Sequence, residues 1–394
     1  MTSARISVAP PGEGVAGGST PPTPAAASTG GHYVVLDGLR GVAAVMVVVF
    51  HIFEAHAGGD PHRQIVNHGY LAVDFFFLLS GFVIAHAYDG RWGRMGVWAF
   101  ASRRLVRLQP MVVLGSLIGL LLFPFQEFAI YPKVASAPAW QVLLAAVLGA
   151  ALLPLPTALD IRGWNEMSPL NGPAWSLFYE AGANALYALG LRRLSLRALG
   201  VLVALAAAAL VQLAVFGGRG DLIGGWALDA GGVRIGLTRV MFPFFAGVLL
   251  MRIGARVRLR NAFGLCSAAL VIALALPRFG GTAHPWINGL YEAACVILLF
   301  PLIVAIGAGE KRAGGASLRI ARFFGDLSYP LYITHFPLIY LYNGWVAEGR
   351  ATGVAAGVAV LAASVVVAYA CLRLYDEPVR RWLGRRLLAR VGAR

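Results

Sequence analysis

Eleven apolar runs, separated by short stretches that hold most of the arginines, leave this chain few ways to fold. They lie near residues 42–53, 70–88, 108–125, 140–156, 174–190, 198–216, 236–251, 262–277, 289–307, 328–346 and 352–374. About 20 apolar residues suffice to cross a bilayer as a helix. In lipid every backbone amide must be paired within the chain, which favours helices. Composition agrees: 58% of residues are hydrophobic and 13% charged, against roughly 45–50% and about 25% in soluble domains. That excludes a cytosolic enzyme, a disordered protein and a secreted disulfide scaffold. The expectation is an all-α polytopic membrane helical bundle. Cys266, Cys295 and Cys371 sit in apolar runs without metal-ligand spacing, and no metal is expected.

The formal charge of +15 lies between the apolar runs rather than on a soluble basic face, so no nucleic-acid partner is expected. Lysine occurs only at Lys133 and Lys311. Arginine placement decides how many runs cross. With the N-terminus cytoplasmic, Arg91, Arg94, Arg103, Arg104 and Arg107 are inside after two spans. If 140–156 does not cross, Arg192, Arg193 and Arg197, then Arg252 to Arg260, then Lys311 to Arg322, and finally Arg380 to Arg394 also fall inside, as the positive-inside rule requires. The expectation is about ten transmembrane helices in a cytoplasmic (inner) membrane, both termini cytoplasmic, with 140–156 as an extra re-entrant or peripheral helix. Residues 1–31, rich in Pro, Gly, Ser, Thr and Ala, read as a disordered cytoplasmic tail. Residues 32–379 form the membrane domain and 380–394 a basic cytoplasmic tail. Ala55-His56-Ala57 imitates a signal-peptidase site, but the region before it is too long for a signal peptide.

Ionisable side chains at membrane depth mark the candidate chemistry. Arg40 and His51 are eleven residues apart, so they share one helix face about 16 Å apart along the axis. Asp37 and Glu54 flank them, and either can orient the imidazole. Asp74 reads equally as a buried partner or an interfacial cap, and His86 as an interfacial residue. Ser80-Gly81 invites a close helix contact. Arg104 and Arg107, three apart, make a pair of guanidiniums suited to phosphate; a topogenic cluster is the plainer reading. Two further stripes, Ser176, Glu180, Asn184, Tyr187 and Ser328, Tyr332, His335, Tyr342, would turn Glu180 and His335 inward.

The strings YVVLDGLRGVAAVMVVVFH, VDFFFLLSGFVI, RRLVRLQP, WSLFYE and LSYPLYITHFPL, in that order from Tyr33 to Pro378, together resemble the acyltransferase-3 family of integral membrane acyltransferases. The resemblance implies ten membrane helices, a basic residue and histidine of the first helix at Arg40 and His51, and a paired-arginine motif at Arg104 and Arg107. It implies transfer of an acyl group, acetyl foremost, from acyl-CoA to hydroxyls of cell-surface glycans, peptidoglycan, lipid-linked glycans or small products such as macrolides. Some members add an extracytoplasmic hydrolase-like domain; this chain ends about twenty residues past its last apolar run, so that domain is not expected.

The mechanism expected from these residues docks CoA phosphates on Arg104 and Arg107 with Arg40 nearby. His51 acts deeper, as general base or as transient acyl carrier, and Glu180 and His335 hold a carbohydrate acceptor. Membrane lipid, acyl-CoA and that acceptor are the expected partners. A polytopic transporter is the rival from another class, although internal repeats and matching broken half-helices are not evident. A non-catalytic partner in glycan export is a third reading.

Overall fold

The computed structural model describes residues 33–310, 315–351 and 353–388. The expected tail at 1–31, Lys311, Arg312 and residues 389–394 lie outside them. Among the described residues there are fourteen α-helices and no strand. They are α1 (Val34–Ala57), α2 (Ala72–Tyr88), α3 (Val97–Leu122), α4 (Ala139–Ala150), α5 (Ala174–Leu189), α6 (Leu196–Phe216) and α7 (Ala230–Arg252). There follow α8 (Ala262–Ala275), α9 (Trp286–Ala294), α10 (Phe300–Gly309), α11 (Gly315–Thr334), α12 (Phe336–Ala347), α13 (Val354–Cys371) and α14 (Glu377–Leu383).

Among the described residues, seven helical segments are long and apolar enough to cross a membrane: Val34–Ala57, Gly69–Arg91, Val97–Phe125, Leu196–Phe216, Ala230–Arg252, Trp286–Gly309 and Val354–Arg386. The sixth joins α9 to α10 through a π turn at Cys295–Leu299, and the last joins α13 to α14 through another at Leu372–Asp376. α5 and α8, of 16 and 14 residues, and the α11–α12 pair fall on three more of the apolar runs. Glu180 in α5 and Arg319, Arg322 and Asp326 in α11 lower the hydropathy of their helices. α4 has 12 residues, or about 18 Å of length, too short to span. It packs on α3 as the extra helix. The run 328–346 is not one helix. It breaks at His335, and α12 restarts with Pro337 in its first turn, where the missing amide is tolerated.

Close backbone approaches lock the bundle. A Cβ added to Gly41 would lie 2.1 Å from the Phe324 carbonyl oxygen, and one on Gly38 would lie 2.8 Å from the Ala321 Cα, so α1 seats directly on α11. Gly81, as its pairing with Ser80 suggested, meets α7: its Cβ would lie 2.1 Å from the Phe244 carbonyl oxygen. Small residues allow this where lipid supplies no hydrophobic drive between helices. Across the α2–α7 seam, Arg239 Nη2 donates to Asp74 Oδ2 at 2.6 Å, and both side chains are buried. Asp74 is therefore an internal partner, not an interfacial cap. Arg239 also caps the Gly224 and Tyr70 carbonyls at 3.0 and 2.8 Å.

The basic loops gather at one end of the bundle. Arg252 grips Asp89 at 2.7 and 3.1 Å and reaches the Leu191, Leu194 and Arg192 carbonyls. Arg256 donates to the Tyr33 hydroxyl at 2.9 Å, and the Tyr33 ring lies edge-on to His86. The start of α1, the end of α2 and the loops after α5 and α7 thus share a side.

Candidate active site

Five helices converge near that basic end around a cavity that opens to solvent. α1 contributes Arg40, α2 Phe76 and Ser80, α3 Arg104 and Arg107, α5 Ser176 and Glu180, and α11 Ser328 and Tyr332. Helical spacing sets this up. Arg104 and Arg107 are three apart on α3, and Ser176 and Glu180 four apart on α5, so each pair leaves its helix in one direction.

The three guanidiniums are held differently. Arg40 donates from Nε to Ser328 Oγ at 2.9 Å, and its Nη2 lies 3.0 Å from Asp37 Oδ1. Arg104 donates from Nη2 to Glu180 Oε1 at 2.7 Å, and the same oxygen accepts from Ser80 Oγ at 2.6 Å. With its amide oxygen turned to the guanidinium, Asn184 accepts from Arg104 Nη2 and Nε at 3.2 Å each. Arg107 is exposed in the cavity and makes no hydrogen bond to protein among the described residues. Three cations thus face Glu180 on the cavity wall, with Asp37 drawn onto Arg40. An excess of positive charge with one uncommitted fork suits an anion such as phosphate.

His51 does not line this cavity. It lies further along α1, where its Nδ1 is 2.7 Å from Glu54 Oε2. Of the two acidic residues expected to orient the imidazole, Glu54 reaches it and Asp37 serves Arg40. The His51 ring stacks on His335, with centroids 5.7 Å apart and planes 26° apart, and meets the Phe336 edge at 4.8 Å. His335 lies 6.1 Å from the ring of Tyr332, whose hydroxyl is 2.7 Å from Ser176 Oγ on the cavity wall. The cavity, Tyr332, His335 and His51 therefore succeed one another. Glu180 and His335, both expected to hold the acceptor, are apart: Glu180 stands with the arginines, His335 with His51. The far ends of the two stripes leave the site. Tyr187 donates to Asp89 at 2.6 Å, and Tyr342 lies 2.7 Å from His56 Nε2.

Such a constellation, with an anion-binding entrance followed by a carboxylate-oriented imidazole, suits transfer of an acyl group from a phosphate-bearing carrier. Residues 33–373 match the acyltransferase domain family. The chain belongs to that family. It is an integral membrane acyltransferase. An acyltransferase, MdmB, of Streptomyces mycarofaciens is 29% identical over 380 residues, covering 89% of this chain and 92% of that protein. Protein 2 in the picA locus of Rhizobium radiobacter is 37% identical over 167 residues, 40% of this chain and 81% of that protein. The O-acetyltransferase OatA of Staphylococcus aureus is 22% identical over 364 residues, 88% of this chain but 57% of its own length. No solved structure gives a significant match.

Several polar residues of this acyltransferase escaped the sequence reading. Arg162 lies outside the apolar runs. It is buried, with its guanidinium 3.5 Å from the Tyr340 ring centre and 4.7 Å from that of Tyr131. Glu166 beside it accepts from the Tyr340 hydroxyl at 2.5 Å. Burial lifts the Glu166 carboxyl to about 7, against the pull of Arg162 and the Tyr340 hydrogen bond. Glu292 of α9 accepts from the Leu222 amide at 2.7 Å and from Asn288 Nδ2 at 2.6 Å. These groups tie loops to helices away from the cavity.

Proposed function

We propose that the protein transfers an acyl group, acetyl foremost, from acyl-CoA to a hydroxyl of a cell-surface or exopolysaccharide glycan, in a bacterial cytoplasmic membrane with both termini inside. The convergence of Arg40, Arg104 and Arg107 on one cavity carries this reading. CoA is a cytosolic polyanion, and the cavity lies near the end where the basic loops gather, the side the positive-inside rule assigns to the cytoplasm. In this reading the phosphates dock on Arg104 and Arg107 with Arg40 beside them, and the thioester reaches past Tyr332 toward His51. Glu54 holds the His51 ring so that Nε2 presents its lone pair. That nitrogen then serves as base or as acyl carrier. Glu180 keeps Arg104 in place and the acceptor hydroxyl arrives beside His335. The relative named an O-acetyltransferase supports an oxygen acceptor and an acetyl donor.

Two measurements test this. His51→Ala, purified and folded, is expected to lose transfer from acetyl-CoA by about 10²–10⁴-fold; full activity would remove the mechanism. Mass spectrometry of envelope glycans from a deletion strain is expected to show a missing acyl mass, and an unchanged glycan would reject the acceptor class.

A further inference from the structure

One buried nitrogen beside the site lacks a partner. His335 is fully buried, and among the described residues its Nε2 has no hydrogen-bond partner. The other ring nitrogen fixes the tautomer. Nδ1 lies 3.0 Å from the Leu331 carbonyl oxygen, which only accepts, so Nδ1 carries the proton. Nε2 is thus a bare, buried lone pair in want of a donor, a costly state until an O–H arrives. His51 has the same form, since the Glu54 carboxylate accepts from Nδ1 at 2.7 Å. Two lone-pair imidazoles therefore stack at 5.7 Å, with Phe336 edge-on to both rings at 4.8 and 5.8 Å.

We infer that the two rings divide the reaction: His51 carries the acyl group, and His335 is the general base for the acceptor hydroxyl. This rests on the acyl-CoA reading above and deepens it. In the first half, His51 Nε2 bonds to the thioester carbonyl carbon, the C–S bond breaks, and CoA leaves as thiolate. The Nδ1 proton passes to Glu54, leaving a neutral acyl-imidazole. In the second half, the acceptor hydroxyl gives its proton to His335 Nε2 while its oxygen bonds to the acyl carbon. The C–N bond breaks, the pair returns to His51 Nε2, and Glu54 returns the proton to Nδ1. The proton on His335 neutralises the thiolate through solvent, so one thioester and one alcohol yield one ester and one CoA thiol. With Nε2 of His51 bonded to the acyl group and Nδ1 turned to Glu54, that ring presents no lone pair to the incoming hydroxyl. The neighbouring ring supplies it.

The test uses the full-length protein, acetyl-CoA as donor, water as acceptor, and hydroxylamine as a nucleophile that needs no base. His335→Asn keeps an amide N–H near the Leu331 carbonyl and deletes Nε2. His335→Gln places an amide oxygen near Nε2 that accepts a hydrogen bond but not a proton. In both, the first-turnover burst of CoA is expected to persist. Steady-state release into water should fall about 100-fold or more, and hydroxylamine should restore it to within a few-fold of wild type. Loss of the burst in both folded variants, an unchanged steady state, or a wild type without a burst would each overturn the division of labour. His51→Ala separates the two claims: a burst that survives there defeats the underlying role of His51, whatever His335 does.

Discussion

Removing Arg104 probes the donor dock most directly. In Arg104→Ala the proposed phosphate contact is lost. A charge-assisted hydrogen bond is worth roughly 1.5–3 kcal/mol, and about 1.4 kcal/mol is tenfold, so the apparent KM for acetyl-CoA should rise about 10–150-fold with kcat little changed. The structure adds a second contribution. Arg104 Nη2 sits 2.7 Å from Glu180 Oε1, and without it that carboxylate keeps only the Ser80 hydroxyl. A bare carboxylate on the cavity wall repels phosphate by about 4 kcal/mol at 4 Å for an effective dielectric of 20, less at greater distance. Arg104→Ala/Glu180→Gln should therefore bind CoA better than Arg104→Ala alone, a non-additivity that contacting residues show. Initial-rate titration with acetyl-CoA, paired with calorimetric binding of CoA itself, reads KM and affinity apart from turnover. An unchanged KM in Arg104→Ala refutes the dock. A double variant that binds no better than the single one refutes the repulsion.

The buried Asp74–Arg239 pair predicts that Arg239→Met destabilises the protein by about 3–5 kcal/mol, because Asp74 is left charged and alone. Thermal unfolding in detergent measures it, with Asp74→Leu/Arg239→Met expected to recover much of the loss; a midpoint unmoved by Arg239→Met would count against the pair. At Glu166 the folded pKa of about 7 exceeds the ordinary 4.5. The folded chain therefore holds the extra proton between those pH values, and stability falls as pH rises through that window, on the order of 3 kcal/mol in all. Glu166→Gln cannot ionise, so its unfolding midpoint relative to wild type should be higher at pH 8 than at pH 5, and parallel pH profiles would contradict this.

What the sequence made legible followed local periodicity. The seven long apolar helices and the short α4 followed from the apolar runs. The shared exits of Arg104 with Arg107 and of Ser176 with Glu180 came from the helical repeat. Partners distant along the chain were not legible. Asp74 meets Arg239 across 165 positions, and Arg40 meets Ser328 across 288. No local pattern encodes either. The choice between Asp37 and Glu54 as partner of His51 turned on direction along the axis: Glu54 lies three residues on, within one turn, whereas Asp37 is drawn to Arg40. The break at His335 was the subtlest miss. Pro337 signalled it, yet the apolar run continued through it, and hydropathy does not register a hinge.

The glycine-lined seam between α1 and α11 makes those helices a single rail. Arg40 and His51 ride on one edge and Ser328, Tyr332 and His335 on the other, so the paired rings hold their alignment before any substrate arrives. A β-carbon at position 38 or 41 would wedge the rail open and part the rings without touching either one. Room for a bulkier group in the cavity would have to come from the facing wall, through side chains of α2 and α5, with the rail left alone.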